Sequence, residues 1–339
     1  MGKDAESLEQ SRDIRAYLLQ QWGRVPTSIW EVDWSLKYIE LSKSYGEQQA
    51  INAEKVGKDF AISGTGARHG QLSRFPQDIL HFLVKFYTPE KLEVPGFFNN
   101  YLPTVLDPFA GHNSRCEGVF RNNRNYVGYD CSKSHCEMNE KVKAMLEKEN
   151  ETSMIKREAK IQFIEADSRN IDYKEQFDFS ITSPPFYDIE YYGDEPEQLG
   201  RAKTYNDFIR SLRGVFEKVY WALKPNAYIA VETNDFRRNG EFFTYHADLI
   251  GILKYVGFEM HDMIICDYGS GFYEAFLSDI EANKIVSKNH SYFAIAKKLS
   301  RRIETRGEVR ERLIEEVKAV KTNGDSKPII IDEKQIKLL

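Results

Sequence analysis

The run Phe177-Asp178-Phe179-Ser180-Ile181-Thr182 alternates apolar and polar residues as on a half-buried strand, and it leads directly into Ser183-Pro184-Pro185-Phe186. Proline has no N–H, so a Ser-Pro-Pro turn offers a hydroxyl and carbonyl oxygens at fixed φ angles, with no competing backbone donors. Such an acceptor-only pocket suits an exocyclic amino group. Ser183 Oγ and the Pro184 carbonyl each take one N–H, Pro185 stiffens the turn, and the nitrogen lone pair is left facing an electrophile. Phe186 supplies a ring on which a base can stack. An amine delocalised into a ring is a poor nucleophile, so hydrogen bonds that favour its pyramidal form act mainly in the transition state.

Three further acids close apolar runs of strand character. Asp107 ends "VLD" and is followed by Gly111, where the backbone can approach a ligand closely. Asp130 ends "VGYD" 23 residues later, about the spacing at which an acid after the second strand of a nucleotide-binding sheet grips ribose hydroxyls. Asp167 follows "IQFIEA". Taken singly, each is equally a helix cap or turn residue. Together with Ser183 they make four polar strand ends in register, and ligands of open α/β sheets lie beyond the carboxyl ends of the strands. The loop "AGHNSR" has one glycine, so it does not supply the Gly-x-Gly-x-x-Gly of a dinucleotide site. That argues against a dehydrogenase and for a nucleoside cofactor without a pyrophosphate.

The elements that must position these residues follow from periodicity. Strands are expected at "PTVLDPF", "NYVGYD", "IQFIEAD", "FDFSIT", "NAYIAVET", "EMHDMIICD" and "SYFAIAKK". Helices are expected at "DILHFLVKFY", "KVKAMLEKE", "YNDFIRSLRGVFEKVYWAL" and "YHADLIGILKYVGF", the last closed by Gly257. The alternation predicts an α/β fold with a doubly wound, mostly parallel, seven-stranded sheet. Residues 5–22 have helical apolar spacing, and Trp22, Trp30 and Trp34 follow, which reads as a helical N-terminal accessory layer. The glycine-rich stretch 63–76, with Arg68, His69 and Arg74, fits a loop approaching a ligand as well as it fits a plain connector.

Composition narrows the class. The chain has 339 residues, 41% of them hydrophobic, enough for one sizeable core with accessory segments. No apolar run reaches the ~18 residues of a membrane span, the N-terminus lacks a signal-peptide core, and Glu6 spoils a myristoylation site at Gly2. Four scattered cysteines make no disulfide framework, and a reducing, cytoplasmic setting is expected. "CSKSHC" (131–136) lacks a second ligand pair, so no metal site is expected. His81, His246 and His261 have no triad context and read as surface or packing residues. The net charge of -5 is not that of a protein that binds nucleic acid by bulk electrostatics. Residues 297–321 nevertheless hold nine Lys/Arg against five Glu, a helical stretch that reads as a solvated face or as a phosphate contact.

The motifs together resemble the S-adenosylmethionine-dependent DNA amino-methyltransferases, especially the N4-cytosine type with a TSPP(Y/F) motif. The resemblance covers about residues 72–298. It is carried by "SRFPQDILHFLVKFYTP", "VLDPFAGHNSR", "SPPFYDIEYYG", "QLG" at 198–200, "LKPNAYIAVETNDF" and "KNHSYFAIAKK", in that order. It implies a division into an accessory or target-recognition segment (1–71), a methyltransferase domain (72–298) and a charged helical tail (299–339). It further implies that Phe109 and Gly111 line the methionine and ribose end of S-adenosylmethionine, Asp130 the ribose and Asp167 the adenine amino group. Phe75 and Pro76 help close the cofactor site, Asp107 at the end of the strand ahead of the cofactor loop counts among the cofactor-binding residues, and Ser183 through Phe186 hold the target base. The chain departs from the family's FxGxG loop at Asn113, and Arg115 stands where a small hydroxyl residue is common. The cofactor loop also precedes the SPPF motif, a permuted order.

The implied activity is methyl transfer to the exocyclic amine of a flipped base in DNA, cytosine N4 first. The implied partner is DNA, with RNA open, no membrane, and room for a companion restriction nuclease. Flipping a base requires positive surface near the pocket, for which Arg237, Arg238, Arg68, Arg74 and the 297–321 stretch are candidates. Two other readings stay open: an N6-adenine or RNA base methyltransferase, and a non-catalytic nucleic-acid-binding module on the same fold.

Overall fold

The computed structural model describes residues 26–32, 75–88, 101–111, 114–190, 192–269, 282–286 and 288–300. The expected N-terminal helix, the 63–74 glycine-rich loop, Asn113 and nearly all of the charged tail lie outside the described residues. Among the described residues, ten strands and five α-helices carry the fold. In chain order the strands are β1 (Ile29–Glu31), β2 (Thr104–Asp107), β3 (Asn125–Asp130), β4 (Ile161–Glu165), β5 (Phe177–Thr182), β6 (Leu223–Thr233), β7 (Phe236–Arg238), β8 (Glu241–Phe243), β9 (Glu259–Asp267) and β10 (His290–Lys297). The helices are α1 (Gln77–Tyr87), α2 (Ser114–Arg121), α3 (Lys133–Thr152), α4 (Tyr205–Ala222) and α5 (Tyr245–Val256).

Eight strands form one sheet in the order β1-β9-β10-β6-β5-β2-β3-β4. Pairings from β4 through β6 are parallel, and β10 runs antiparallel to both β6 and β9. The fold is therefore α/β and doubly wound, as the alternation predicts. All seven expected strands are present. The eighth is β1, whose residues pair in parallel with Ile265–Asp267 at the far edge of the sheet. A segment expected to be helical accessory structure thus contributes a strand, seated by Trp30, which is buried and donates its indole N–H to Asp78 Oδ2 at 2.7 Å.

The two faces of the sheet are covered by different helices. Apolar residues of α1, α2 and α3 pack with Val105, Phe179 and Ile181 on one side. Those of α4 and α5 pack with Leu106, Phe177, Ile229 and Val231 on the other. The spacing Phe208, Leu212, Val215, Phe216, Val219 puts one apolar stripe of α4 on the sheet, and Thr204 caps its start by accepting the Asp207 amide. At the end of α5, Gly257 takes the left-handed conformation (φ 108°), where a side chain would be strained.

Burial of β5 corrects the half-buried reading of its alternation, since all six residues are buried. A central strand flanked by β2 and β6 has helices over both faces, so a charge on it must be paired inside. Asp178 does so by accepting from Lys224 Nζ at 2.8 Å, from the Thr104 amide at 2.9 Å and from the Tyr101 hydroxyl.

Candidate active site at the sheet's switch point

Strand order reverses between β2 and β5: β3 and β4 lie to one side of this point, and β6 to the other. Chains diverging from such a point leave a crevice beyond the strand ends, where ligands of doubly wound sheets bind. A cleft open to solvent lies there, lined among others by Phe109, Gly111, Asp130, Asp167, Ser183 and Pro185. Three of the four polar strand ends selected from the sequence, Asp130, Asp167 and Ser183, thus meet in one cavity, and Phe109 and Gly111 of the loop after β2 join them. Tyr192, Gln198 and Leu199, from the loop after the SPPF motif, form another of its walls.

Asp130 faces the cleft with a carboxylate that is already organised. Gly111 N donates to its Oδ2 and Ser132 N to its Oδ1, each at 2.8 Å, and His135 Nδ1 stands 3.4 Å from Oδ1. Gly111 reaches this position with φ at 51°, a conformation glycine adopts without strain. Burial would raise the acid's pKa, but His135 and the two amides outweigh it and hold the carboxyl below its ordinary value. Each carboxylate oxygen has two acceptor sites, so one on Oδ2 remains for a hydroxyl, while the second on Oδ1 is shared with His135.

Asp167 also lines the cleft, and it doubles as the cap of the short 3-10 turn Ser168–Asn170. It accepts from the Arg169 amide at 2.8 Å and from the Arg169 guanidinium, with Nε 2.8 Å from Oδ2. Ligand and cap readings therefore coexist in one residue.

Asp107 has a different place. It is fully buried, away from the cleft wall, and accepts from Arg115 Nε at 2.5 Å and from Tyr126 and Thr182 hydroxyls at 2.8 Å. Arg115 also donates to the Phe109 and Ala110 carbonyls, so the ion pair braces the cofactor loop from below. Phe75 is part of the same brace: its buried ring lies under the Arg115 guanidinium, 5.5 Å away, and meets Phe293 edge-on at 5.3 Å. Pro76 precedes the first turn of α1. The structure thus puts Phe75 and Asp107 behind the loop, and none of Phe75, Pro76 and Asp107 is among the residues lining the cleft.

The SPPF turn divides similarly. Ser183 and Pro185 reach the cleft, whereas Pro184 is buried. Tyr245 donates its hydroxyl to the Pro185 carbonyl at 3.1 Å. Phe186 packs into an aromatic cluster, edge-on to Phe236 at 5.7 Å and tilted against Tyr245 at 5.9 Å. Its amide donates to Tyr192 Oη, which in turn donates to Glu190 Oε2 at 2.6 Å.

Glu232, near the end of β6, escaped sequence reasoning. It lies in "VETND", and the signal available there was an acid at the end of a fifth strand. Glu232 Oε1 accepts from Tyr268 at 2.8 Å and from Ser291 at 3.1 Å, and the Ser183 hydroxyl is close enough to favour the carboxylate by hydrogen bonding. Burial raises its pKa, against Tyr268, Arg115, Ser291 and Ser183, which all favour the charged form. A Ser183 hydroxyl that donates to Glu232 must present its lone pairs elsewhere.

His246, read as a packing residue, has an acid partner: its Nδ1 stands 2.6 Å from Asp235 Oδ1, and its ring stacks on Tyr292 at 4.3 Å. Among the described residues no three His, Cys, Asp or Glu side chains stand together as a metal site. No described helix is long and apolar enough to cross a membrane.

No family model and no curated protein matches the chain. Solved structures do. A SAM-dependent methyltransferase from Methanosarcina mazei matches at 14% identity and TM-score 0.39, over 61% of this chain and 99% of that one. A candidate DNA modification methylase from Thermus thermophilus, complexed with S-adenosyl-L-methionine, matches at 23% identity and TM-score 0.31. That alignment covers 43% of this chain and 59% of the methylase, less than two thirds of its length. A phosphoethanolamine N-methyltransferase from Haemonchus contortus matches at 15% identity and TM-score 0.40, over 66% and 53% of the two chains. The fold assignment rests on the strand order itself, and the chemistry of the cleft on its own side chains.

Proposed function

We propose that the chain is an S-adenosylmethionine-dependent methyltransferase acting on the exocyclic amine of a base in DNA, with cytosine N4 as the expected position. One observation carries this reading: the Phe109–Gly111 loop, Asp130 and Asp167 share a single cleft with Ser183 and Pro185. A nucleoside-sized group and an amine-accepting turn then lie side by side, and a methyl group need travel only from one to the other.

The residues fit that cofactor. Asp130 Oδ2 retains an acceptor site for a ribose hydroxyl, Phe109 offers apolar surface, and Asp167 can accept an adenine amino proton once the exposed Arg169 head moves aside. S-adenosylmethionine, when bound, supplies an electrophilic methyl group, so no covalent link to the protein is required. Ser183 holds the target amine with its free lone pairs, and the buried Pro184 keeps the turn rigid behind it. Glu232 fixes the Ser183 hydroxyl in that orientation. Ser183 strengthens its hold as the amine nitrogen becomes tetrahedral, which places its contribution in the transition state.

Nucleosides digested from DNA and from RNA after exposure to the protein and methyl-labelled cofactor test the proposal by mass spectrometry. Label in N4-methylcytosine of DNA is the expected result. Label in N6-methyladenine or in RNA would change the substrate, and cofactor binding without any labelled nucleoside would overturn nucleic acid as the substrate.

A further inference from the structure

Beyond the cleft, the sequence "FRRNGEFF" folds into a tight hairpin. β7 and β8 pair as Phe236 with Phe243, Arg237 with Phe242 and Arg238 with Glu241. The two-residue connection is Asn239-Gly240, both at positive φ (50° and 81°), as a hairpin turn matched to strand twist requires. Side chains alternate across the ribbon, so its two faces differ. The inner face carries Phe236 and Phe243, stacked at 4.9 Å and packed against Phe186, Tyr187 and Tyr205. Arg238 fastens the same ribbon to the SPPF loop through Asp188, at 2.8 Å.

The outer face carries Arg237 and Phe242. The Phe242 ring is 42% exposed, with the Arg237 guanidinium 4.9 Å from its centroid and the Lys288 ammonium 4.4 Å from it. Burial lowers Lys288 to about 8, against Asp235, which raises it, and together with Arg237, which lowers it further. A partly dehydrated ammonium of this kind has more to gain from an anion than a hydrated one.

We propose that this outer face, Phe242 with Arg237 and Lys288, is a stacking platform for an unpaired nucleotide of the strand whose neighbouring base is held at Ser183. The inference rests on nucleic acid being the substrate. An exposed aromatic ring flanked by cations matches what single strands present: a flat base beside a phosphate. The energies also run in the right direction. A cation over an exposed ring is worth about 0.5–1 kcal/mol, whereas a base stacked on a ring is worth roughly 1–3 kcal/mol. A base therefore displaces the ammonium from the ring face, and the ammonium, still donating to the Asp235 carbonyl, can turn its remaining protons to the adjoining phosphate. Fastening by Arg238 and the aromatic inner face ties the platform to the turn that receives the target amine.

The test uses the full chain and fluorescein-labelled single-stranded DNA and RNA of about 12 nucleotides, within the 4–16 typical of single-strand sites, alongside a blunt duplex. Phe242→Ala and Phe242→Leu are expected to weaken single-strand binding about tenfold in fluorescence anisotropy, Phe242→Tyr to retain it, and all three to bind S-adenosylmethionine like the parent. The slope of affinity against salt should not change, because no charge is removed. DNA and RNA arms show which strand the platform prefers. Parent-like binding by Phe242→Leu would overturn the proposal, as would an equal loss on single strands and duplex. If the parent binds cofactor but no nucleic acid of any kind, the substrate reading fails and this inference with it. If the parent binds and methylates nucleic acid while Phe242→Leu is unaffected, the platform alone falls.

Discussion

Gly111 donates its amide to Asp130 Oδ2 at 2.8 Å, so the loop after β2 and the acid after β3 are a single unit before any ligand arrives. A preorganised acceptor lowers the ordering cost of binding. Asp130→Ala is accordingly expected to weaken S-adenosylmethionine binding by about 1–3 kcal/mol, the cost of leaving polar groups unpaired. Calorimetry measures it, and unchanged affinity would remove Asp130 from the site.

The same acid contributes to stability with a definite pH dependence. Its folded pKa lies below the ordinary 3.8, so the ionised carboxylate stabilises the fold above that value. The contribution is lost as pH falls through the folded pKa. Asp130→Ala should therefore be less stable than the parent in urea titrations near neutral pH, with the gap closing on acidification below about 3.8. A gap that is constant over the whole range would mean that the carboxylate's charge has no part in it.

Arg115 and Asp107 form a buried ion pair, with side chains 7% and 0% exposed. Removing one partner strands a charge in the interior, typically at about 3–5 kcal/mol. Arg115→Ala should lose about that much stability in chemical denaturation, and with it the donors that hold the Phe109 and Ala110 carbonyls. A loss under about 1 kcal/mol would show that water or a neighbour takes over the pairing.

These two acids explain what sequence reading captured and what it missed. Asp107 and Asp130 both close strands, and periodicity finds strand ends equally well for each. What separates them is the residue opposite. Tyr126, Thr182 and Arg115 converge on Asp107 from β3, β5 and α2, contacts between residues 8 to 75 positions apart that no local pattern reveals. Likewise, alternation in β5 suggested a half-buried strand, because Asp178 looks solvent-facing until Lys224 and Tyr101 are brought to it. The cleft was legible because strand ends in a doubly wound sheet must converge. Glu232 was not, since its role depends on Ser183, Tyr268 and Ser291 meeting it from three other segments. The hairpin, by contrast, was available in the sequence as Asn239-Gly240 between "FRR" and "EFF".

Ser183 and Glu232 are expected to act on rate. Ser183→Ala should depress the methyl-transfer rate far more than cofactor affinity, because the lost interaction belongs to the transition state. Glu232→Gln tests the orientation of the hydroxyl. Protonation of Glu232, favoured by its raised pKa, removes the acceptor that fixes Ser183, so parent activity should fall as pH drops toward that pKa. In Glu232→Gln that acid limb should vanish from the pH–rate profile. Full turnover by Ser183→Ala would remove the turn from the chemistry.

Arg237 and Arg238 are adjacent in sequence but opposed in structure, and their substitutions should separate. Arg238 is paired with Asp188 at 2.8 Å, whereas Arg237 lies on the outer face against Phe242. A cation that meets phosphate releases counterions, so its loss lowers the slope of log affinity against log salt by about one unit. Arg237→Ala is expected to flatten the salt dependence of DNA binding in this way and leave S-adenosylmethionine affinity unchanged. Arg238→Ala should leave the slope near the parent's and instead slow turnover, because it unfastens the hairpin from the loop that carries Ser183 and Phe186. Equal slopes for the parent and Arg237→Ala would place that arginine off the path of the DNA backbone.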